Sequence, residues 1–99
     1  MVSLPLPVLR VAASLPVLFA VGTSDFAGTV VSILRAGALV RAERHVPEVG
    51  ARIRLFISRS LERQIEIEAR VVRHVPRGFA AEFLGALVEL LELLADLGG

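Results

Sequence analysis

Apolar and polar positions divide the chain into a long segment of period two and a short tail of period 3.6. Residues 51–57 read ARIRLFI, with Arg52 and Arg54 on one face and Ile53 and Leu55 on the other. Residues 65–72 read IEIEARVV, with Glu66, Glu68 and Arg70 outward. Such alternation marks a half-buried antiparallel strand. Four more extended runs accompany them: 15–21 (LPVLFAV, entered through Pro16), 26–34 (FAGTVVSIL), 38–41 and 79–83 (FAAEF). Between the runs lie Gly22-Thr23-Ser24-Asp25, Arg35-Ala36-Gly37, a polar loop 43–50, a hairpin loop 58–64 and Pro76-Arg77-Gly78. These are turn residues by their backbone preferences. Six short strands spaced by about ten residues predict a small antiparallel barrel or sandwich.

The tail changes period. Over 84–97, Leu84, Leu87, Leu91 and Leu94 recur at helical steps, and Leu90, Leu93 and Leu97 widen the apolar face. Glu89, Glu92 and Asp96 form a narrow acidic stripe before Gly98-Gly99. This predicts a C-terminal amphipathic helix. One leucine stripe suffices to cover the barrel, so the second is expected to meet a protein partner or a second copy. The interaction residues are then Leu87, Leu90, Leu91, Leu93 and Leu94. At the other end, Pro5 and Pro7 make 1–9 an extended arm. Residues 10–97 read as one domain without a linker.

Composition narrows the function. The chain has 99 residues, 55% of them hydrophobic, which suffices for one core. All eleven basic residues are Arg, set against ten acids for a net charge of +1. That balance gives no polyelectrolyte character, so no nucleic-acid polymer is expected as partner. Strand-binding barrels interleave aromatics with basic residues. Here the aromatics are five Phe, most of them at inward positions. The absence of Cys excludes disulfides, thiol catalysis and thiolate metal sites, and suits a cytoplasmic location. His45 and His74 are not spaced as a local metal pair, so no metal is expected. Glu66 and Glu68 are close carboxylates, but they share a solvated face opposite Arg52 and Arg54, as in a charge ladder. No residue set supports catalysis, and the chain is not expected to be an enzyme. The apolar run 11–21 follows Arg10 and approaches the size of a signal-peptide core. However, the first nine residues carry no charged side chain, and Pro5, Pro7 and Pro16 punctuate the stretch, so it is not read as a signal peptide. No apolar run reaches the roughly 18 residues of a membrane-spanning helix.

Three landmarks then appear in order: Arg35-Ala36-Gly37-Ala38-Leu39-Val40, Pro47-Glu48-Val49-Gly50, and Gly78-Phe79-Ala80-Ala81-Glu82-Phe83 just before the tail. Together, over residues 10–96, they resemble the PilZ domain. The resemblance implies a six-stranded antiparallel barrel with one C-terminal helix, a role in bacterial cyclic di-GMP signalling, and cyclic di-GMP as the possible ligand. Processes such as motility, pili or exopolysaccharide synthesis would be its setting. The family's ligand groups are an RxxxR pair before the first strand and a [D/N]xSxxG motif. Arg10 matches the first arginine, while Ser14 stands in place of the second. In the other motif Ser32 replaces the acid or amide and Leu34 replaces the serine, while Arg35 and Gly37 are kept. This implies a PilZ-like domain that binds the nucleotide weakly or not at all and works by protein contacts. The alternative is a true receptor using Arg10, Arg35 and nearby arginines such as Arg41.

Overall fold

The computed structural model describes residues 11–33, 36–58 and 62–85. Six strands form a closed barrel: β1 (Val11–Val21), β2 (Ser24–Ile33), β3 (Gly37–Ala42), β4 (Arg52–Ser58), β5 (Gln64–Val75) and β6 (Gly78–Phe83). Every neighbouring pair is antiparallel, and the order around the barrel is β1-β2-β3-β6-β5-β4, with β4 pairing back onto β1. Closure hydrogen-bonds strands on both sides, which removes the edges that invite foreign strands.

The alternation read from the sequence becomes an inside and an outside. On β4 and β5, Ile53, Leu55, Ile57, Ile65, Ile67, Ala69 and Val71 point into the core, while Arg52, Arg54, Glu66, Glu68 and Arg70 point to solvent. Arg54 stands opposite Glu68 in the strand register without an ion pair to it, and Arg52 reaches the Glu68 carboxylate at 4.0 Å. The expected ladder is therefore present. Arg70 extends it to Glu82 on β6 at 3.0 Å. Both pairs are half to three-quarters exposed, so each adds about 0–1 kcal/mol. The main stabilisation comes from the interior, where Phe19 packs edge-on against Phe79 at 5.2 Å and stacks with Phe26 at 5.7 Å. Phe26 in turn stacks on His45 at 4.4 Å, which covers this end of the core from the β3–β4 loop.

Several boundaries differ from the sequence expectation. β1 starts at Val11, so the whole apolar run after Arg10 is strand. β2 starts at Ser24 because the first hairpin needs only two turn residues, with Gly22 at φ +62°. A positive φ at the first central position alone is the type II′ turn that suits strand twist. β5 continues through His74 to Val75 past a bulge between Val71 and Arg73. The other histidine is fixed too: His74 Nε2 donates to the Pro47 carbonyl at 2.7 Å and ties the β3–β4 loop to β5. Leu84 and Gly85 leave β6 as a bend, not as the first helical turn. The rest of the expected helix, with Leu87, Leu90, Leu91, Leu93 and Leu94, lies outside the described residues, as does the arm 1–9.

The β5–β6 turn places Pro76 before Arg77, whose φ is +66°. Pro followed by a positive φ is type II geometry, which favours glycine at the second position. Arg77→Gly is expected to raise stability by about 0.5–1 kcal/mol, since the left-handed conformation costs a side chain about 1–2 kcal/mol and glycine's extra chain entropy offsets part of the gain. Thermal unfolding of the two proteins checks this. An unchanged or lower midpoint would show that the Arg77 side chain contributes more than its backbone costs.

Candidate functional site

The described motif positions, Ser14, Ser32 and Gly37, lie toward one end of the barrel. Ser32 on β2 pairs with Ala12 on β1 and with Leu39 on β3, and Gly37 opens β3 directly opposite Glu82. The register is irregular here on both sides of β2, between Ala12 and Leu15 and between Val30 and Ser32. Bulges re-aim side chains and are common beside functional sites. Two neighbours are buried in succession here: Ser32 is 3% exposed and engaged within the protein, and Ile33, paired with the buried Ala38, is fully buried. A group that reads a guanine edge must be reachable by a ligand, and Ser32 is buried.

Ser14 is exposed at one end of a shallow depression along the outer faces of β1 and β2. Pro16, Leu18, Ala27 and Thr29 form much of its lining, and Glu43 is its charged member. A surface for a bis-phosphate ligand needs cations, and this lining has a carboxylate and no arginine among the described residues. Arginines gather elsewhere, where Arg52 and Arg54 flank a second depression with Glu68, Ala20 and Leu84. That place is on the β1–β4–β5 wall, away from the motif positions.

Gly37 is explained by the fold. A Cβ there would collide with the carbonyl of Ala81 on β6, and Gly78 stands in the same relation to the carbonyl of Val40 on β3. β3 and β6 therefore approach closely at both ends of their pairing. Arg41 is exposed on β3, opposite Thr29 and Gly78, with no ion-pair partner among the described residues. Arg10, Leu34 and Arg35 lie outside the described residues. No cluster of three or more His, Cys, Asp or Glu side chains suited to a metal occurs among the described residues. Nor is any helix among them long and apolar enough to cross a membrane.

The model of one family, the PilZ domain, matches residues 9–97. The chain belongs to the PilZ domain family. No curated protein matches the chain. Among solved structures, that of the Bacillus subtilis inhibitor of motility (MotI/DgrA) superposes with a TM-score of 0.74 at 23% identity. The match covers 96% of this chain and 50% of that protein, so this PilZ domain spans about half its length. The likeness shows the shared barrel. The depression at Ser14 was not legible from the sequence, because its walls come from β1, β2 and the segment after β3, which only the register brings together.

Proposed function

We propose that this PilZ domain is a regulatory module of bacterial cyclic di-GMP signalling that binds the nucleotide weakly or not at all and acts through contacts with proteins. One observation carries the reading: at the three described motif positions, Ser14, Ser32 and Gly37, no charged or amide group faces outward. A lost charge-assisted hydrogen bond typically costs about 1.5–3 kcal/mol. Two such losses take micromolar binding to about millimolar, at about 1.4 kcal/mol per tenfold. Family membership supports a regulatory and not a catalytic role. The named neighbour, an inhibitor of motility, makes motility one setting to test. The leucines Leu87, Leu90, Leu91, Leu93 and Leu94 are the proposed contact to a protein partner or second copy, and the cytoplasm is the proposed location. A second reading, a true receptor using Arg10, Arg35 and Arg41, is favoured by Arg41, which is exposed and has no ion-pair partner among the described residues.

Calorimetric titration with cyclic di-GMP decides between them. The expected result is no saturable heat, or a Kd above about 100 μM; a Kd below about 1 μM establishes the receptor reading. Ser14→Arg, Ser32→Asp and Leu34→Ser together are expected to raise affinity at least about tenfold. Because Ser32 is 3% exposed, its carboxylate variant tests folding as well as binding. Ser14→Arg alone, at an exposed position, is the arm that separates the two. No gain in either folded variant would mean the ligand groups lie elsewhere.

A further inference from the structure

The outer wall of the barrel is not uniform. Register places three outward rows across β4, β1 and β2. Arg54, Ala20 and Asp25 form the first; Phe56, Leu18 and Ala27 the second; Pro16 and Thr29 continue the third on β1 and β2. The inward neighbours Val17, Phe19, Leu55 and Ile57 confirm which face each strand presents. The middle row is apolar, and its centre, Leu18, is 45% exposed. On the other side of β4, β5 presents Glu66, Glu68 and Arg70. An apolar centre with a charged surround is the anatomy of a protein interface.

We propose that this wall is a self-association surface and that its occupant is a second copy of the same chain, related by a two-fold axis along β1. The pattern is self-complementary about that line. β4 and β2 lie one strand spacing either side of β1, so the axis sets each copy's β4 over its partner's β2. Leu18 then meets the partner's Leu18. Phe56, the largest side chain of the wall, sits over the partner's Ala27, the smallest of its row. The depression of about 340 Å³ beside Leu18, with Ala27, Gly28 and Thr29 in its lining, is where that ring enters. Arg54 faces the partner's Asp25. Both are exposed, and neither has an ion-pair partner among the described residues. Large against small and positive against negative recur twice in each dimer by symmetry. An unrelated partner would have no reason to find both matches at equal distances from one strand. The barrel's curvature confines contact to this strip, so association is weak and concentration-dependent. The surface shares the depression beside Ser14 but does not rest on the nucleotide reading, and it does not use the C-terminal leucines.

Sedimentation velocity on the full chain tests it. Wild type is expected to dimerise with a Kd in the range of about 10–100 μM, and Leu18→Glu to weaken this at least about tenfold. Arg54→Asp and Asp25→Arg alone each set like charges together and weaken the dimer. The double variant restores it, which a merely destabilised protein would not do. All three substitutions are at outward positions, and circular dichroism verifies the folding of the four variants. A wild type that is monomeric to about 300 μM overturns the proposal. So does a dimer indifferent to Leu18→Glu, or a double variant without recovery. Loss of the dimer only in Leu90→Glu with Leu93→Glu also overturns it and moves the interface to the tail.

Discussion

Phe19→Ala is expected to bring the barrel to the edge of unfolding at room temperature. Phe19 is fully buried, meets Phe79 edge-on and stacks with Phe26. Removing a buried Phe side chain typically costs about 3–5 kcal/mol, and the cost grows with the cavity that remains. The cavity here resists collapse, because the surrounding wall is a closed ring of six paired strands. Domains of this size have about 5–15 kcal/mol in total, so the change removes a large fraction. Urea denaturation is expected to show at least about 3 kcal/mol lost at unchanged m-value. The companion Phe56→Ala, half-buried and outward, is expected to lose less than about 1.5 kcal/mol. Equal losses in the two would mean that the barrel closes around the missing ring.

How much was legible in the sequence follows from how far each feature depends on local pattern. β4 and β5 alternate strictly, and their faces could be read from eight or fewer residues. The end of β5 could not. At the bulge Val72 and Arg73 both face out, so the alternation fails there although the strand runs on to Val75. Ser24 and Asp25 have turn chemistry, yet Gly22 alone supplies the required backbone conformation and the strand takes them back. The candidate site shows the same divide. Ser14 was singled out by spacing, and the residue is exposed. The burial of Ser32 beside Ile33 was not legible, because a period-two pattern does not place two neighbours under cover together. The row Phe56, Leu18 and Ala27 was hidden for a stronger reason: its members come from three strands, and only the register joins them.

Those observations separate scaffold from pocket. The barrel keeps its core, its closure and its close strand approaches, while the outward-facing groups at the described motif positions are plain. On the proposed reading the fold outlasts the ligand chemistry, since packing and site place different demands on different faces of the same strands. Gly37 is where the two demands would overlap, since it stands at the glycine of the motif that the sequence resembles and also in the β3–β6 contact.

Gly37→Ala is accordingly expected to destabilise the protein without any ligand present, by about 2–4 kcal/mol. The added methyl group would meet the Ala81 carbonyl oxygen, the Ala81 carbonyl carbon and the Glu82 Cα, all of them backbone. A flexible side chain can swing aside, but β6 is held by β5 on its far side and cannot withdraw without loosening that pairing as well. Gly78→Ala should behave alike, because its methyl would meet the Val40 carbonyl from the opposite strand. Gly85→Ala is the control: nothing lies within 4 Å of its Cβ position, and its φ is not in the left-handed region. It is expected to change stability by less than about 0.5 kcal/mol. Thermal and urea unfolding of the three variants in nucleotide-free buffer measure the difference. If Gly37→Ala matched the control in stability and altered only cyclic di-GMP binding, the glycine would serve the ligand and the proposed loss of the pocket would be wrong. If it unfolds with Gly78→Ala, the last intact described position of the motif is accounted for by strand packing alone.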